Sequence, residues 1–326
     1  MPHQARAFGT LCIALLLMLP GITAAQDYPN RPVRLIVPFA PGGTTDSVGR
    51  LVAASLSTRL GQQVVVENRP GAGSQIGLEY VARVPADGYT LILGASDGLV
   101  ILPVMKKKAP YDALNDFTPV AIVGAAPLSY TVFAKFPANS LAELIAYAKA
   151  KPGGIRYGSA GVGTTLHLGI ELLQALTGTE MVHVPYKGGA PMMADIVAGQ
   201  IELVLTSADF AKKFADSGHL RVLAQADTRR HALLPNAPTT TEVGQPELQA
   251  VSWFGVFGPA GLPKPIVDRV AKELSTVLQD PVLGERMTLV GANVRYVPPE
   301  GIAKLITDDT AKWGRVVRDA KIPLQD

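Results

Sequence analysis

The sequence predicts an α/β protein made of two lobes, and three observations support this prediction. Strand-like and helix-like segments alternate along the chain, as they do where helices cover mainly parallel sheets. A loop rich in glycine and threonine joins a strand to a helix twice, about 120 residues apart. The chain has 326 residues, and this length favours two domains.

The first 25 residues are typical of a secretory signal peptide. Residues 11–19 form an apolar run that is too short to span a bilayer, and Thr23, Ala24 and Ala25 supply small residues for cleavage. We expect cleavage after Ala25 and a periplasmic product; an uncleaved anchor helix is the alternative. The single cysteine, Cys12, lies in this run. Disulfides, thiol catalysis and cysteine-ligated zinc are therefore not expected in the mature chain.

The first lobe is expected to comprise residues 26–125 and 247–326. Its N-terminal part contains three strand-and-loop units, of which the first two lead into amphipathic helices. The predicted strands are 34–39, 64–67 and 89–94, and the loops that follow them are 41–46, 68–73 and 95–98. Two helices, which begin after Pro265 and Glu300, complete this lobe.

The second lobe is expected to comprise residues 126–246. Apolar extended segments at 117–123 and 128–134 predict the first crossing between the lobes, and 220–226 is a candidate for the second. The expected elements between them are a helix over 141–150, strands at 155–159, 181–185 and 201–205, and helices after 165 and over 190–198. Two connections between lobes suit closure about a hinge.

Charge and motifs exclude several function classes. The net charge of the precursor is +3, and no basic stripe with aromatic residues predicts a nucleic-acid partner. Neither nucleotide-binding glycine pattern is present, and Tyr157 stands where a nucleophile elbow around Ser159 needs glycine. The five histidines have no metal-ligand spacing and no local catalytic partner. We therefore expect no enzymatic activity, metal or cofactor.

The two glycine–threonine loops are the candidate binding site. Glycine lets a ligand approach the backbone, and a helix N-terminus offers unpaired N–H groups to an anion. Two such loops predict a two-sided clamp for a small carboxylate, whereas each loop alone is also explained as a turn with an N-cap. Asp46 would repel an anion, so accepting N–H groups within its own loop is the favoured role, and pairing with a ligand amino group is the alternative. Lys187 is expected to face solvent.

Two further strand ends are candidates, because ligands of open α/β sheets bind at the carboxyl ends of strands. Ser96 and Asp97 follow the third strand, and Ser207 and Asp209 end a strand of the second lobe. For these four residues a structural role and a ligand-binding role are both open.

The chain also resembles the solute receptors of tripartite tricarboxylate transporters, the Bug-type family of periplasmic binding proteins. The resemblance extends over essentially the whole mature chain, and its motifs lie at 28–32, 37–43 with Asp46, 67–73, 110–112, 116–120, 157–163, 183–188, 252–255 and 259–265. It implies a type II periplasmic-binding-protein fold, in which two α/β lobes are joined by two crossing strands with a ligand cleft between them. The ligand-binding residues expected from the loops and the resemblance are Phe39, Gly42, Gly43, Thr44, Asp46, Ser96, Ser159, Gly161, Gly163, Thr164, Thr165, Ser207 and Asp209.

The resemblance implies an extracytoplasmic receptor that binds a dicarboxylate, an amino acid or an aromatic acid. Its partners would be the membrane subunits of a transporter, and it would act as a monomer. A periplasmic partner of a membrane sensor is the alternative function, and an enzyme acting on a carboxylate is less favoured. Residues 95–98 and 206–209 depart from the commoner form of these turns, so the sequence does not identify the ligand.

Overall fold

Strands and helices alternate through the part of the chain that the computed structural model describes, residues 28–326. The predicted signal peptide lies outside the described residues. The strands are β1 Val33–Val37, β2 Val64–Asn68, β3 Thr90–Ala95, β4 Phe117–Phe133, β5 Arg156–Ser159, β6 Val182–Pro185, β7 Leu203–Ser207, β8 Leu220–Gln225, β9 Val251–Pro259 and β10 Asn293–Val297.

The helices cover both faces of these strands. They are α1 Thr44–Leu60, α2 Gln75–Arg83, α3 Leu102–Met105, α4 Leu141–Ala150, α5 Thr165–Thr177, α6 Gly189–Val197, α7 Ala208–Asp216, α8 Lys264–Val277, α9 Pro281–Leu289 and α10 Pro299–Asp319. A π-helical turn, Asp97–Ile101, leads into α3. No helix within residues 28–326 has the length and apolarity that a membrane span requires.

One long strand, β4, takes part in two sheets. Its first part, together with β9, lies in a sheet of order β2-β1-β3-β9-β4-β10, in which β1, β2 and β3 are parallel. Its last part lies in a sheet of order β6-β5-β7-β4-β8, in which β5 is parallel to β6 and β7. We call the first sheet with its helices lobe 1 and the second with its helices lobe 2.

The two lobes are connected where three chain segments meet. The N–H of Leu128 donates to the carbonyl of Ala250, that of Ala250 to Ala226, and that of Ala226 to Leu128. The sequence predicts two segments for the first crossing, but β4 is continuous across it. The candidate for the second crossing, 220–226, instead contributes β8, which pairs with β4 inside lobe 2, and β9 carries the return.

The sheet of lobe 1 has a core on each face. Helices α1, α8 and α9 cover one face, and the other face is continuous with the core of lobe 2. Helix α10 packs on this second face, where Asp309 accepts a 2.8 Å hydrogen bond from the indole of Trp253, and α10 also contacts α5 of lobe 2. Helix α9 and strand β10, which the sequence patterns do not predict, complete lobe 1.

Candidate functional site

The first glycine–threonine loop leaves the N-terminus of α1 open. Gly43 is its N-cap, with an ordinary extended backbone (φ −86°, ψ 171°), and no side chain caps the helix. The N–H groups of Thr44, Thr45 and Asp46 belong to the first turn, which has no acceptors of its own. Gly42 and Gly43 are exposed, and a Cβ added to Gly43 would meet no atom within 4 Å. The first turn of α1 therefore has backbone donors that no side chain caps, behind two exposed glycines.

Asp46 supports this loop from inside. The residue is only 3 % exposed, and its carboxylate accepts hydrogen bonds from the Gly42 N–H (3.0 Å), the Arg50 guanidinium (3.0 Å) and the Asn68 amide (2.8 Å). Burial by itself would raise the pKa of Asp46, but these three bonds hold it below its usual value. Its charge is thus offset by Arg50 and both of its oxygens are occupied. This geometry gives Asp46 a positioning role rather than direct contact with a ligand.

The N-terminus of α5, in the second loop, is already occupied. Thr164 is its N-cap and accepts from the His167 N–H. The N–H of Thr165 donates to Oδ1 of Asp97 at 2.8 Å, and the Thr165 hydroxyl donates to the same oxygen. Because Asp97 belongs to lobe 1 and Thr165 to lobe 2, these bonds join the lobes.

A second interlobe contact lies beside the first. Gly163 approaches α3 of lobe 1 so closely that an added Cβ would lie 3.2 Å from Cγ of Met105. Its φ of +79° is in the left-handed region that favours glycine. A larger residue at this position would disturb both the loop and the packing of the lobes.

A polar cluster beneath the second loop holds its shape. Oγ of Ser159 lies 2.7 Å from Nε2 of His183, and the Gly163 N–H donates to Nδ1 of His167 at 3.3 Å. The two imidazoles stack with centroids 4.0 Å apart. Burial lowers the pKa of His167 to about 3 and that of His183 to about 4, so both rings are neutral near pH 7. The sequence shows no local partner for these histidines, because their partners are distant in sequence.

The cluster does not form an accessible catalytic dyad. Ser159 is fully buried, and its Oγ also exchanges hydrogen bonds with the backbone of Gly161. This hydroxyl is therefore not exposed to a substrate in this arrangement of the lobes. Among residues 28–326, no group of three or more His, Cys, Asp or Glu side chains is placed to hold a metal ion.

The remaining candidate residues differ in how deeply their side chains are buried. The hydroxyl of Ser96 is buried and lies 3.3 Å from that of Ser252, whereas Phe39 is half-buried against the lobe 1 core. Ser207 donates to Asp209 at 2.5 Å, and Asp209 lies against Gly291 of lobe 1. The side chains of Ser96, Ser159 and Thr165 thus all form hydrogen bonds with other groups of the protein.

The model of a family described as the tripartite tricarboxylate transporter family receptor matches residues 48–322. The chain is similar to the periplasmic binding protein BugD, with 35 % identity, a TM-score of 0.80 and coverage of 91 % of this chain and 100 % of BugD.

Two further solved structures contain ligands. Rpa4515 of R. palustris, solved with adipate, is 36 % identical, with a TM-score of 0.83 and coverage of 91 % of this chain and 99 % of that protein. MatC of Rhodopseudomonas palustris, solved with bound malate, is 31 % identical, with a TM-score of 0.78 and coverage of 89 % and 100 %. These likenesses confirm the predicted two-lobe binding-protein fold.

Proposed function

The chain belongs to the tripartite tricarboxylate transporter receptor family, and from this premise we propose that it binds a small carboxylate between its lobes for uptake. Members of this family are periplasmic solute receptors. The receptor would deliver its ligand to the membrane subunits of a tripartite tricarboxylate-type transporter. It would not transform the ligand, since Ser159, the one hydroxyl paired with a histidine ring in the second loop, is buried.

The observation that carries this proposal is the uncapped N-terminus of α1. Three first-turn N–H groups, those of Thr44, Thr45 and Asp46, face a loop whose N-cap has no side chain. The helix dipole adds a partial positive charge at the same place. Because Arg50 offsets the charge of Asp46, the loop attracts an anion although a carboxylate lies beneath it.

The binding free energy expected of such a site is sufficient for the micromolar affinity of a receptor. A hydrogen bond to a charged group contributes about 1.5–3 kcal/mol, so three amides supply roughly 5–9 kcal/mol before the cost of ordering the ligand. Micromolar binding requires about 8 kcal/mol. Residues of the second loop, among them Gly161 and Thr164, would supply the remaining contacts when the lobes enclose the ligand.

Two measurements test the proposal. Native mass spectrometry of the protein purified from periplasm should show an added mass that is lost on denaturation and that corresponds to a small carboxylic acid. Titration calorimetry with that acid should then give a dissociation constant in the micromolar range or below. A retained neutral or cationic molecule, or hydrolysis of the acid's ester by the protein, would contradict the proposal.

A further inference from the structure

A cavity lined by residues of both lobes lies away from the two glycine–threonine loops. Its volume is about 640 Å³, within the range of about 300–1,000 Å³ that is typical of small-molecule sites. Residues 227–230, which follow β8 in lobe 2, line it together with 293–295 of β10 and part of α10, both in lobe 1. The residues of the two loops, 41–46 and 159–165, are not among those that line it. The cavity is therefore separate from the site proposed for the carboxylate.

Two arginines of this cavity, one from each lobe, have free guanidinium groups. Arg229 of lobe 2 and Arg295 of lobe 1 both line the cavity and are exposed, and neither forms an ion pair or a side-chain hydrogen bond with any of residues 28–326. Arg230 differs from them, because it is paired with Glu242 at 2.9 Å and donates to the carbonyl of Pro235. A guanidinium has several N–H donors in one plane and binds oxyanions through paired hydrogen bonds. Arg229 and Arg295 are thus available to an anion.

Lys312 of α10 adds a third cation to the same lining. Its ammonium donates to the carbonyl of Gln249 at 2.6 Å, and its other N–H groups have no acceptor among the described residues. Burial lowers the pKa of Lys312, although the charge of Asp309 acts in the opposite direction. Since burial removes water from this charge, an anion in the cavity would compensate it.

Two carboxylates also line the cavity and reduce its positive charge. Asp227 accepts a hydrogen bond from the N–H of Thr228 at 2.7 Å, and Asp309 accepts from the indole of Trp253 at 2.8 Å. Neither carboxylate forms an ion pair with a cation of the described residues. Because the three unpaired cations outnumber these two carboxylates, the lining keeps an excess of positive charge.

We propose that this cavity is a further ligand site, which takes a small oxyanion with two or more negative charges, held between Arg229 of one lobe and Arg295 of the other. One acidic group of the anion would pair with Arg229 and another with Arg295, with Lys312 beside them. A short polycarboxylate and a pyrophosphate share this chemistry. The occupant would contact both lobes and so restrain their relative movement. The inference does not depend on carboxylate binding at α1.

The test begins with two probe anions, inorganic pyrophosphate and citrate. Calorimetry at low ionic strength, where partly exposed charges are screened least, would titrate each probe into the wild type and into Gly43→Val, whose added side chain should block the site at α1. At least one probe should bind both proteins with a dissociation constant below about 1 mM. Acetate, which has one negative charge, should bind Gly43→Val at least tenfold more weakly. The tighter probe shows whether the site prefers carboxylate or phosphate groups.

Two single variants then test the arginines. Arg229→Met and Arg295→Met should each weaken binding of the tighter probe by at least tenfold, or about 1.4 kcal/mol. Methionine keeps much of the apolar stem, and neither guanidinium has a partner to lose, so the melting temperature should not change. Arg286→Met is the matched control, because Arg286 of α9 is also exposed but does not line the cavity. Lys312 is not replaced, since its ammonium also holds the carbonyl of Gln249.

The outcomes separate this inference from the proposed function. If Gly43→Val binds neither pyrophosphate nor citrate, the cavity is not an anion site. If either arginine variant binds the probe like the wild type, the anion does not bridge the lobes and the inference is refuted. An equal loss in Arg286→Met would mean that the probe follows the general surface charge, which also refutes it. A failure of the proposed function would instead appear as an absence of carboxylate binding that Gly43→Val can abolish.

Discussion

Replacing Gly43 by valine tests the backbone site at α1 with little disturbance of the fold. The φ of Gly43 is −86°, which every residue adopts readily, and an added Cβ would meet no atom within 4 Å. A valine at an N-cap costs about 1 kcal/mol relative to glycine, so the melting temperature should fall by only about 2–4 °C.

The effect on binding should be much larger. The valine side chain would lie at the N-terminal end of α1, between a ligand and the N–H groups of Thr44 and Thr45. Since each hydrogen bond to a carboxylate contributes about 1.5–3 kcal/mol, the loss of two removes about 3–6 kcal/mol. Affinity should fall by at least about 100-fold, as measured by calorimetry with the ligand that mass spectrometry identifies.

The choice of position and control makes this result interpretable. Gly163→Val would not serve, because the φ of Gly163 is +79° and its Cβ would crowd Met105, so folding and binding would change together. Gly284→Val is a suitable control: it lies in α9, where an added Cβ has only an ordinary 4.0 Å contact with Val294. If Gly43→Val folds and binds like the wild type, the N-terminus of α1 does not hold the carboxylate.

Four further predictions concern other parts of the molecule. Lys187→Met should change ligand affinity by less than about threefold in calorimetry, because Lys187 is exposed; a large loss would mean that a side-chain cation holds the anion. Arg50→Met should weaken carboxylate binding by about tenfold, or about 1.4 kcal/mol, because it leaves the charge of Asp46 without its partner; unchanged affinity would refute this electrostatic argument. The pKa of His167, about 3 in the folded protein and about 6.5 in an unfolded chain, means that the unfolded state binds more protons between these values. The free energy of unfolding, measured with urea, should therefore fall as the pH is lowered, by about 1.6 kcal/mol from His167 alone between pH 6.5 and 5. His167→Gln should reduce this slope; an equal slope in the variant would contradict the assignment. Finally, the intact mass of the periplasmic protein should place its N-terminus near Gln26, and a membrane-bound precursor would count against export.

The sequence by itself predicts the elements on which the site is built. Alternating apolar segments indicate most of the strands and helices, and glycine with threonine after a strand marks the N-termini of α1 and α5. These predictions succeed because capping and periodicity are local properties, set by residues a few positions apart. The same local patterns did not predict α9 and β10, and they offered 220–226 as a candidate for the second crossing. The reason is that the residues of a strand do not specify which other strand it pairs with.

Only the tertiary structure decides how the two loops differ. Asp97 and Thr165 are 68 residues apart, and nothing in either segment indicates that one will cap the other across the two lobes. Ser159, His183 and His167 likewise meet only because β5, β6 and α5 pack together. The sequence thus determines that two helix N-termini exist, because the backbone groups that make them are local. Which of them stays open to an anion depends on where the docking of the lobes places a distant carboxylate.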